Sequence, residues 1–300
     1  MTNKPAFFNN EETSGVDRVT NLTYEYFVNQ YLKPCKPVVI KDATKNWIAH
    51  EVWDFTFFIK KYGNCQLQID GKFYKFHDFI DLVMNANNNN PAPYLREMNI
   101  PINFPNLMFY LQPELQYTLP NRLTSKLLPK SFEKNWGMRK GMMELLIGGR
   151  GSGFPFLHYD LFKSHGFVTQ IRGYKEFILY SPVESEYLYP MASKRDVSSI
   201  KSIESPDLDK FPLFTKAKPI KVLVREKESI FIPSGWWYIT KILSPSIAVL
   251  INFINPDNWS NFIEEYCLSL GNFNIIKLKL RKTYLTAIGL LMSCQEHVKP

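Results

Sequence analysis

The sequence predicts a mainly β protein with helical additions: a sandwich or barrel core between a helical N-terminal lobe and a helical C-terminal tail. Three observations predict it. From residue 142 onward, short apolar runs follow one another (MELLIGG, FVTQIRG, KEFILYSP, IKVLV, SIFIP and SIAVLINF), with turn signals between most of them. Segments with apolar residues at helical spacing lie before and after that block. Hydrophobic residues make up 45% and aromatics 15% of 300 residues, enough for a large core, and the 21% of charged residues is too low for a disordered chain.

The elements follow in order. Residues 22–32 carry apolar and aromatic side chains at helical spacing, with Thr20 or Asn21 as the cap. PVVIK reads as a buried strand. A second amphipathic helix runs over 53–62 and ends at Gly63. Residues 66–70 and 72–76 flank Gly71 as a hairpin, and 77–85 form a third helix. The NANNNN stretch after it, with Pro91 and Pro93, reads as a surface loop. The strand block follows, and then helices over 259–270 and 275–294. No repeat or linker divides the chain, so residues 1–256 form one domain and 257–300 a helical tail.

The four cysteines, Cys35, Cys65, Cys267 and Cys294, are far apart and form no CxxC pair, which favours a reducing compartment over a disulfide framework or zinc knuckle. The first residues lack the basic and apolar regions of a signal peptide, and the apolar stretch 285–292 is too short to span a bilayer. These features predict a cytoplasmic protein. A net charge of +8 weakly favours acidic partners such as nucleic acid or an acidic peptide. The local run Lys277, Lys279, Arg281 and Lys282 is more simply a solvated helix face.

The chemistry concentrates in FPFLHYDLFKSHGFVTQIRGYKEFILYSP. His158 and Asp160 are two residues apart, so on a strand both point to one face. A carboxylate inside a barrel is costly unless something offsets its charge, and a divalent metal would. An imidazole and a carboxylate joined by a second histidine are the ligand set of non-heme Fe(II) oxygenases. Alone, such a pair is a weak signal. On the next strand Lys175, Phe177 and Leu179 share a face. If that face is inward, Lys175 needs an anionic partner; if outward, Glu176 needs one instead.

Three separated blocks, GGRGSGFPFLHYD, the pair QIRGYKEFILYSP, and SIFIPSGWWYITKI with SIAVLINF, resemble the JmjC/cupin-like proteins, a family that includes asparaginyl and lysyl hydroxylases. FVNQYLKPCKPVVIKDATKNW is similar to the family's opening helix, strand and tryptophan turn, so the resemblance covers roughly residues 18–256. It implies a double-stranded β-helix (cupin or jelly-roll) barrel. It also implies an Fe(II)- and 2-oxoglutarate-dependent oxygenase. His158 and Asp160 fall on its first two iron ligands, Lys175 on its 2-oxoglutarate lysine, and Asn252 on a polar position near the co-substrate.

The third ligand departs from the pattern. Where the family has a histidine after two tryptophans, this chain has Tyr238 in Gly235-Trp236-Trp237-Tyr238. The only histidines are His50, His77, His158, His165 and His297, so no neighbour on that strand replaces it. Three readings stay open: Tyr238 ligates iron, iron rests on His158 and Asp160 with water or His165, or the site is degenerate and the protein is a binding module. Tyr238 also reads as a core tyrosine whose hydroxyl is satisfied by Asp160. Pro155 replaces a threonine that binds 2-oxoglutarate in many relatives, and Glu228-Ser229 reads as altered turn chemistry. His165 reads as a surface-loop histidine and Trp236 and Trp237 as packing residues, while Tyr110, Trp136 and Tyr159 could line the site. The expected substrate is a protein or peptide side chain, with RNA as an alternative. The apolar residues Phe262, Leu268, Leu270, Ile275, Leu278, Leu285, Ile288 and Leu291 of the tail suggest a homodimer.

Overall fold

The computed structural model describes residues 15–129, 142–270 and 274–298. The expected plan is present. The N-terminal lobe comprises β1 (Asp17–Val19), α1 (Tyr24–Phe27), β2 (Val38–Ile40), α2 (Ala49–Val52), α3 (Phe55–Tyr62), the hairpin β3 (Gln66–Ile69) and β4 (Lys72–Lys75), α4 (Phe76–Asn85), β5 (Leu95–Asn99) and α5 (Ile100–Asn103). The strands β6 (Met142–Gly148), β7 (His165–Arg172), β8 (Lys175–Tyr180), β9 (Ile220–Val224), β10 (Ser229–Ile232), β11 (Trp237–Ile242) and β12 (Ser246–Phe253) build the barrel. The tail is α6 (Trp259–Ser269) and α7 (Ile275–Val298).

Two strands lie where the sequence reading had none: β1 pairs in parallel with β2, and β5 lies at the edge beside β6. β11, the strand of Tyr238, pairs with β8. The first helix opens later than expected. Thr23, not Thr20 or Asn21, accepts from the Tyr26 N–H, and the helix widens into a π-helical turn over Val28–Leu32.

Seven strands in the order β1-β2-β10-β7-β12-β6-β5 face a three-stranded sheet β11-β8-β9. Side chains alternate across each strand, and this sets the layers. One face of the large sheet (Phe167, Ile171, Phe231, Val249 and Phe253) packs on the helical lobe. Its other face (Val168, Ile230, Leu146 and Leu250) meets Phe177, Leu179, Val222 and Tyr238 of the small sheet inside the barrel. The outer face of the small sheet buries Ile178, Tyr180 and Trp237 under Leu157 and Tyr159.

The tail closes one end of the barrel. Phe262, Leu285, Ile288 and Met292 bury against Leu123, Met142 and Phe162. Arg122, 3% exposed, forks onto Glu296 through Nε (3.0 Å) and Nη2 (2.7 Å). Phe262, Leu285 and Ile288 are therefore used within the chain and are not available for a dimer seam, contrary to expectation. Leu268, Ile275 and Leu291 are exposed. Among the described residues no helix is long and apolar enough to cross a membrane.

Gly289 lets α7 approach α6, because a Cβ there would lie 2.2 Å from Trp259 Nε1. Gly289→Ala gains about 1 kcal/mol of helix propensity but forces overpacking worth about 1–3 kcal/mol. The variant is expected to melt lower than the parent in thermal unfolding.

Candidate functional site

The site sits inside the barrel, where two bridges, Gly153 to Lys241 and His158 to Tyr238, join the segment before β7 to β11. The His158 N–H donates to the Tyr238 carbonyl at 3.1 Å, and the Tyr238 N–H returns the bond to the His158 carbonyl at 2.7 Å. Their rings lie 4.5 Å apart. Asp160 follows in extended conformation, before the turn Leu161–Lys163 in which Phe162 adopts a left-handed φ of 56°. His158 and Asp160 are thus not on the regular strand that the spacing argument assumes, yet both side chains are buried.

The polar atoms are unevenly satisfied. His158 Nδ1 engages the Phe156 carbonyl at 3.2 Å, which assigns that nitrogen the proton and leaves Nε2 as the acceptor. Burial lowers the His158 pKa to about 3, so the ring is neutral. Asp160 Oδ1 accepts from the Tyr238 hydroxyl at 2.8 Å. Asp160 Oδ2 is buried with no hydrogen-bond partner. Burial raises the Asp160 pKa to about 6, countered by the Tyr238 hydroxyl and the Asn252 amide. Tyr238 is pushed well above its ordinary value by burial and then by the Asp160 charge, which keeps the phenol protonated as a donor.

Oδ2 lies over Gly166, where a Cβ would sit 2.5 Å away. Gly166→Ala is therefore expected to displace the carboxylate and weaken metal binding by roughly tenfold or more, the scale of lost ligand-orienting contacts. Titration with Co(II), read by its visible spectrum beside a melting curve, separates that loss from unfolding.

Lys175 points inward and is 1% exposed, the first of the two alternatives. Its ammonium donates to the Tyr94 hydroxyl at 3.1 Å and sits 5.3 Å from that ring. Among the described residues it has no ion pair, and burial lowers its pKa to about 7. Asn252 lies on β12 opposite Gly166, 3% exposed, with Nδ2 donating to the His165 carbonyl at 3.4 Å. Sequence reading missed Tyr94, Glu144 and Arg96. Glu144 accepts from the Glu97 N–H at 3.2 Å, and its pKa rises to about 7 through burial and then the Asp160 charge. A charged residue within MELLIGG, on the same face as Leu146, was the available signal.

Other expectations resolve differently. His165 is no surface-loop residue. It is 2% exposed, opens β7 on the face opposite Gly166, packs 5.0 Å from the Phe253 ring and accepts at Nδ1 from the Ser234 N–H at 3.0 Å. That face belongs to the lobe, so His165 cannot assist His158 and Asp160. Glu228 is more than turn chemistry: both its oxygens accept from Arg18 Nη1 at 2.6 Å, tying β1 to the barrel. Tyr159 packs edge-on to Trp237 at 4.9 Å on the outer face, and Tyr110 joins Trp53 and Phe57 in the lobe, so neither lines the site. Trp136 lies outside the described residues. Trp236 and Trp237 are packing residues whose indole N–H groups donate to the Cys35 carbonyl and the Ser185 hydroxyl, each at 2.9 Å. Among the described residues no three His, Cys, Asp or Glu side chains form a metal-holding group.

The donor set nevertheless fits a divalent metal at two positions: a neutral imidazole with a free acceptor nitrogen, and a carboxylate with an orphaned buried oxygen. The unpaired Lys175 fits an anionic co-substrate. The cupin-like domain family matches residues 24–258. The chain is 27% identical over 264 residues to the arginine-specific demethylase JMJ20 of Arabidopsis thaliana, covering 80% of this chain and 56% of that protein. It is 24% identical over 268 residues to the 2-oxoglutarate and iron-dependent oxygenase JMJD4 of Gallus gallus, covering 81% and 60%. A shorter match, 36% over 95 residues, joins it to tRNA wybutosine-synthesizing protein 5 of Mus musculus, covering 32% and 28%. The chain belongs to the JmjC/cupin-like family. It spans only part of these relatives, from 28% to 60% of their lengths.

Proposed function

We propose that this protein is an Fe(II)- and 2-oxoglutarate-dependent oxygenase that hydroxylates a protein or peptide side chain. The observation that carries the reading is the Lys175 ammonium, buried without an acid partner in the same barrel that holds His158 and the orphaned Asp160 oxygen. His158 and Asp160 would hold the iron. Lys175, oriented by the Tyr94 hydroxyl, would take the distal carboxylate of 2-oxoglutarate, with Asn252 nearby. Bound iron with its co-substrate supplies the oxidising power for a C–H bond. Tyr238 completes the site or, through its bond to Asp160 Oδ1, sets the direction of the free oxygen. The barrel walls exclude water around both groups. The unpaired cysteines suit the reducing cytoplasm in which such chemistry runs.

The test is anaerobic addition of Fe(II) and 2-oxoglutarate, followed by visible absorption. A metal-to-co-substrate band that vanishes in His158→Ala supports the reading. A band absent from the wild type and present in Tyr238→His sinks it in favour of a catalytically impaired binding module, which the Tyr238–Asp160 bond favours. The match to the tRNA wybutosine-synthesizing protein motivates a third reading, an RNA substrate; steep salt dependence of RNA binding supports it.

A homodimer through α7 is also proposed. Its outer side exposes Ile276, Leu280, Tyr284 and Leu291, spaced to run along one stripe. A dimer mass by light scattering at micromolar concentration is expected, and a monomer mass removes the idea.

A further inference from the structure

The edge strand β5 breaks register at Arg96 and Glu97. Leu95 pairs with Ile147 and Met98 with Leu145, with an irregularity between them. Glu97 adopts a left-handed φ of 60°. A bulge re-aims a side chain, and this one sets Arg96 against Phe154. Its guanidinium lies 5.4 Å from the Phe154 ring. Phe154 stacks on the His158 imidazole at 3.8 Å. Phe156 meets Phe154 edge-on at 5.0 Å and carries the Lys194 ammonium at 5.2 Å. The Lys194 loop is fixed against the site, since Val197 bridges to His158 and the Tyr159 N–H donates to the Asp196 carbonyl at 3.1 Å. Two cations thus flank an aromatic stack that ends on the candidate metal ligand.

Their own partners do not exhaust them. Arg96 Nη2 pairs with Asp70 at 2.8 Å, but Asp70 is 58% exposed and such pairs are weak. Arg96 Nε lies 4.0 Å from Glu97 and is buried with no hydrogen-bond partner. Lys194 has no ion pair among the described residues. Each Nη carries two N–H groups, so the outer edge of the guanidinium keeps donors for a further charge-assisted bond.

We propose that Arg96 and Lys194 form an anion-reading rim that selects an acidic peptide as the substrate of the barrel site. This rests on the reading of that site as the reaction centre and names its substrate class. Arg96 receives one carboxylate through the Nη N–H groups that Asp70 and the Tyr94 carbonyl leave unused, and Lys194 receives a second acidic group on the other side of the stack. A nucleic acid would want open aromatic faces for its bases. Phe154 is already engaged by His158 and Arg96, and Phe156 by Lys194, so a peptide is the better fit.

The experiment is fluorescence anisotropy on the full chain with three labelled probes: a decapeptide alternating glutamate and glycine, its glutamine counterpart, and decauridine. The glutamate peptide is expected to bind about tenfold tighter than the glutamine one. Arg96→Gln and Lys194→Ala are each expected to lose about tenfold, while Lys277→Ala, on exposed α7, loses nothing. Equal binding of both peptides overturns the proposal, as does an equal loss in Lys277→Ala, which would report net charge alone. Preference for decauridine with the same Arg96 dependence overturns it in favour of RNA. Should Arg96→Gln unfold, the exposed Lys194→Ala decides. The iron and 2-oxoglutarate band in the same samples separates the two readings. A band without acid preference sinks the rim alone, and acid-selective binding without a band sinks the oxygenase reading alone.

Discussion

Lys175→Met is expected to weaken 2-oxoglutarate binding sharply while raising the melting temperature of the ligand-free protein. The two effects share one cause. The ammonium is 1% exposed and among the described residues it meets the Tyr94 hydroxyl and no acid, so folding buries a charge without an ion pair there. Methionine keeps the length and apolar stem without the charge. The folded pKa of Lys175 is lowered to about 7 from 10.5, so the unfolded chain binds this proton more tightly. The penalty on folding is therefore complete below about pH 7 and gone above 10.5. Each pKa unit is worth about 1.4 kcal/mol, against about 1 kcal/mol for the lost Tyr94 bond. The variant should be more stable below pH 7, and the two melting curves should converge as the pH climbs. Calorimetric titration should show 2-oxoglutarate affinity falling roughly 30-fold or more, the scale of removing one partner of a buried charge pair. Unchanged affinity would mean that the co-substrate lies elsewhere.

Tyr238→His should raise iron affinity by roughly 10- to 100-fold or more, since a direct ligand outweighs the outer-shell groups for which that range holds. The Tyr238 phenol can ligate as an anion only by giving up its proton and its 2.8 Å bond to Asp160, and burial and the Asp160 charge both oppose that. A neutral imidazole needs no such step. Tyr238→Phe divides the remaining possibilities. If the hydroxyl ligates metal, iron affinity drops; if it only holds Asp160, affinity stays or rises. Without metal, the same variant leaves a buried carboxylate oxygen unpaired, at about 1–3 kcal/mol. Thermal unfolding with and without Fe(II) reads both quantities.

Much of the barrel was legible because its strands are short and apolar and turn signals separate most of them. That Lys175, Phe177 and Leu179 share a face followed from their spacing, which left open whether that face is inward; those residues do enter the barrel. β7 was harder. Almost every residue of HGFVTQIR is buried, since the strand is covered on both faces, so no polar alternation marks which side His165 takes. β5 was missed because its bulge interrupts the two-residue period, and Arg96 was lost with it. The Tyr238–Asp160 bond was one of the readings the sequence left open; choosing it depends on β11 lying beside the 158–160 segment, a contact set by register between distant strands, which no local pattern encodes.

The Arg122 fork has a consequence for how the molecule comes apart. A guanidinium 3% exposed is held by a carboxylate from the last turns of α7 and lies 5.5 Å from the Trp259 ring. Breaking a buried pair by removing one partner costs about 3–5 kcal/mol. Barrel and tail are therefore expected to melt as one cooperative unit, and a chain shortened before Glu296 is expected to show a lower melting temperature for the barrel as well as loss of its helix.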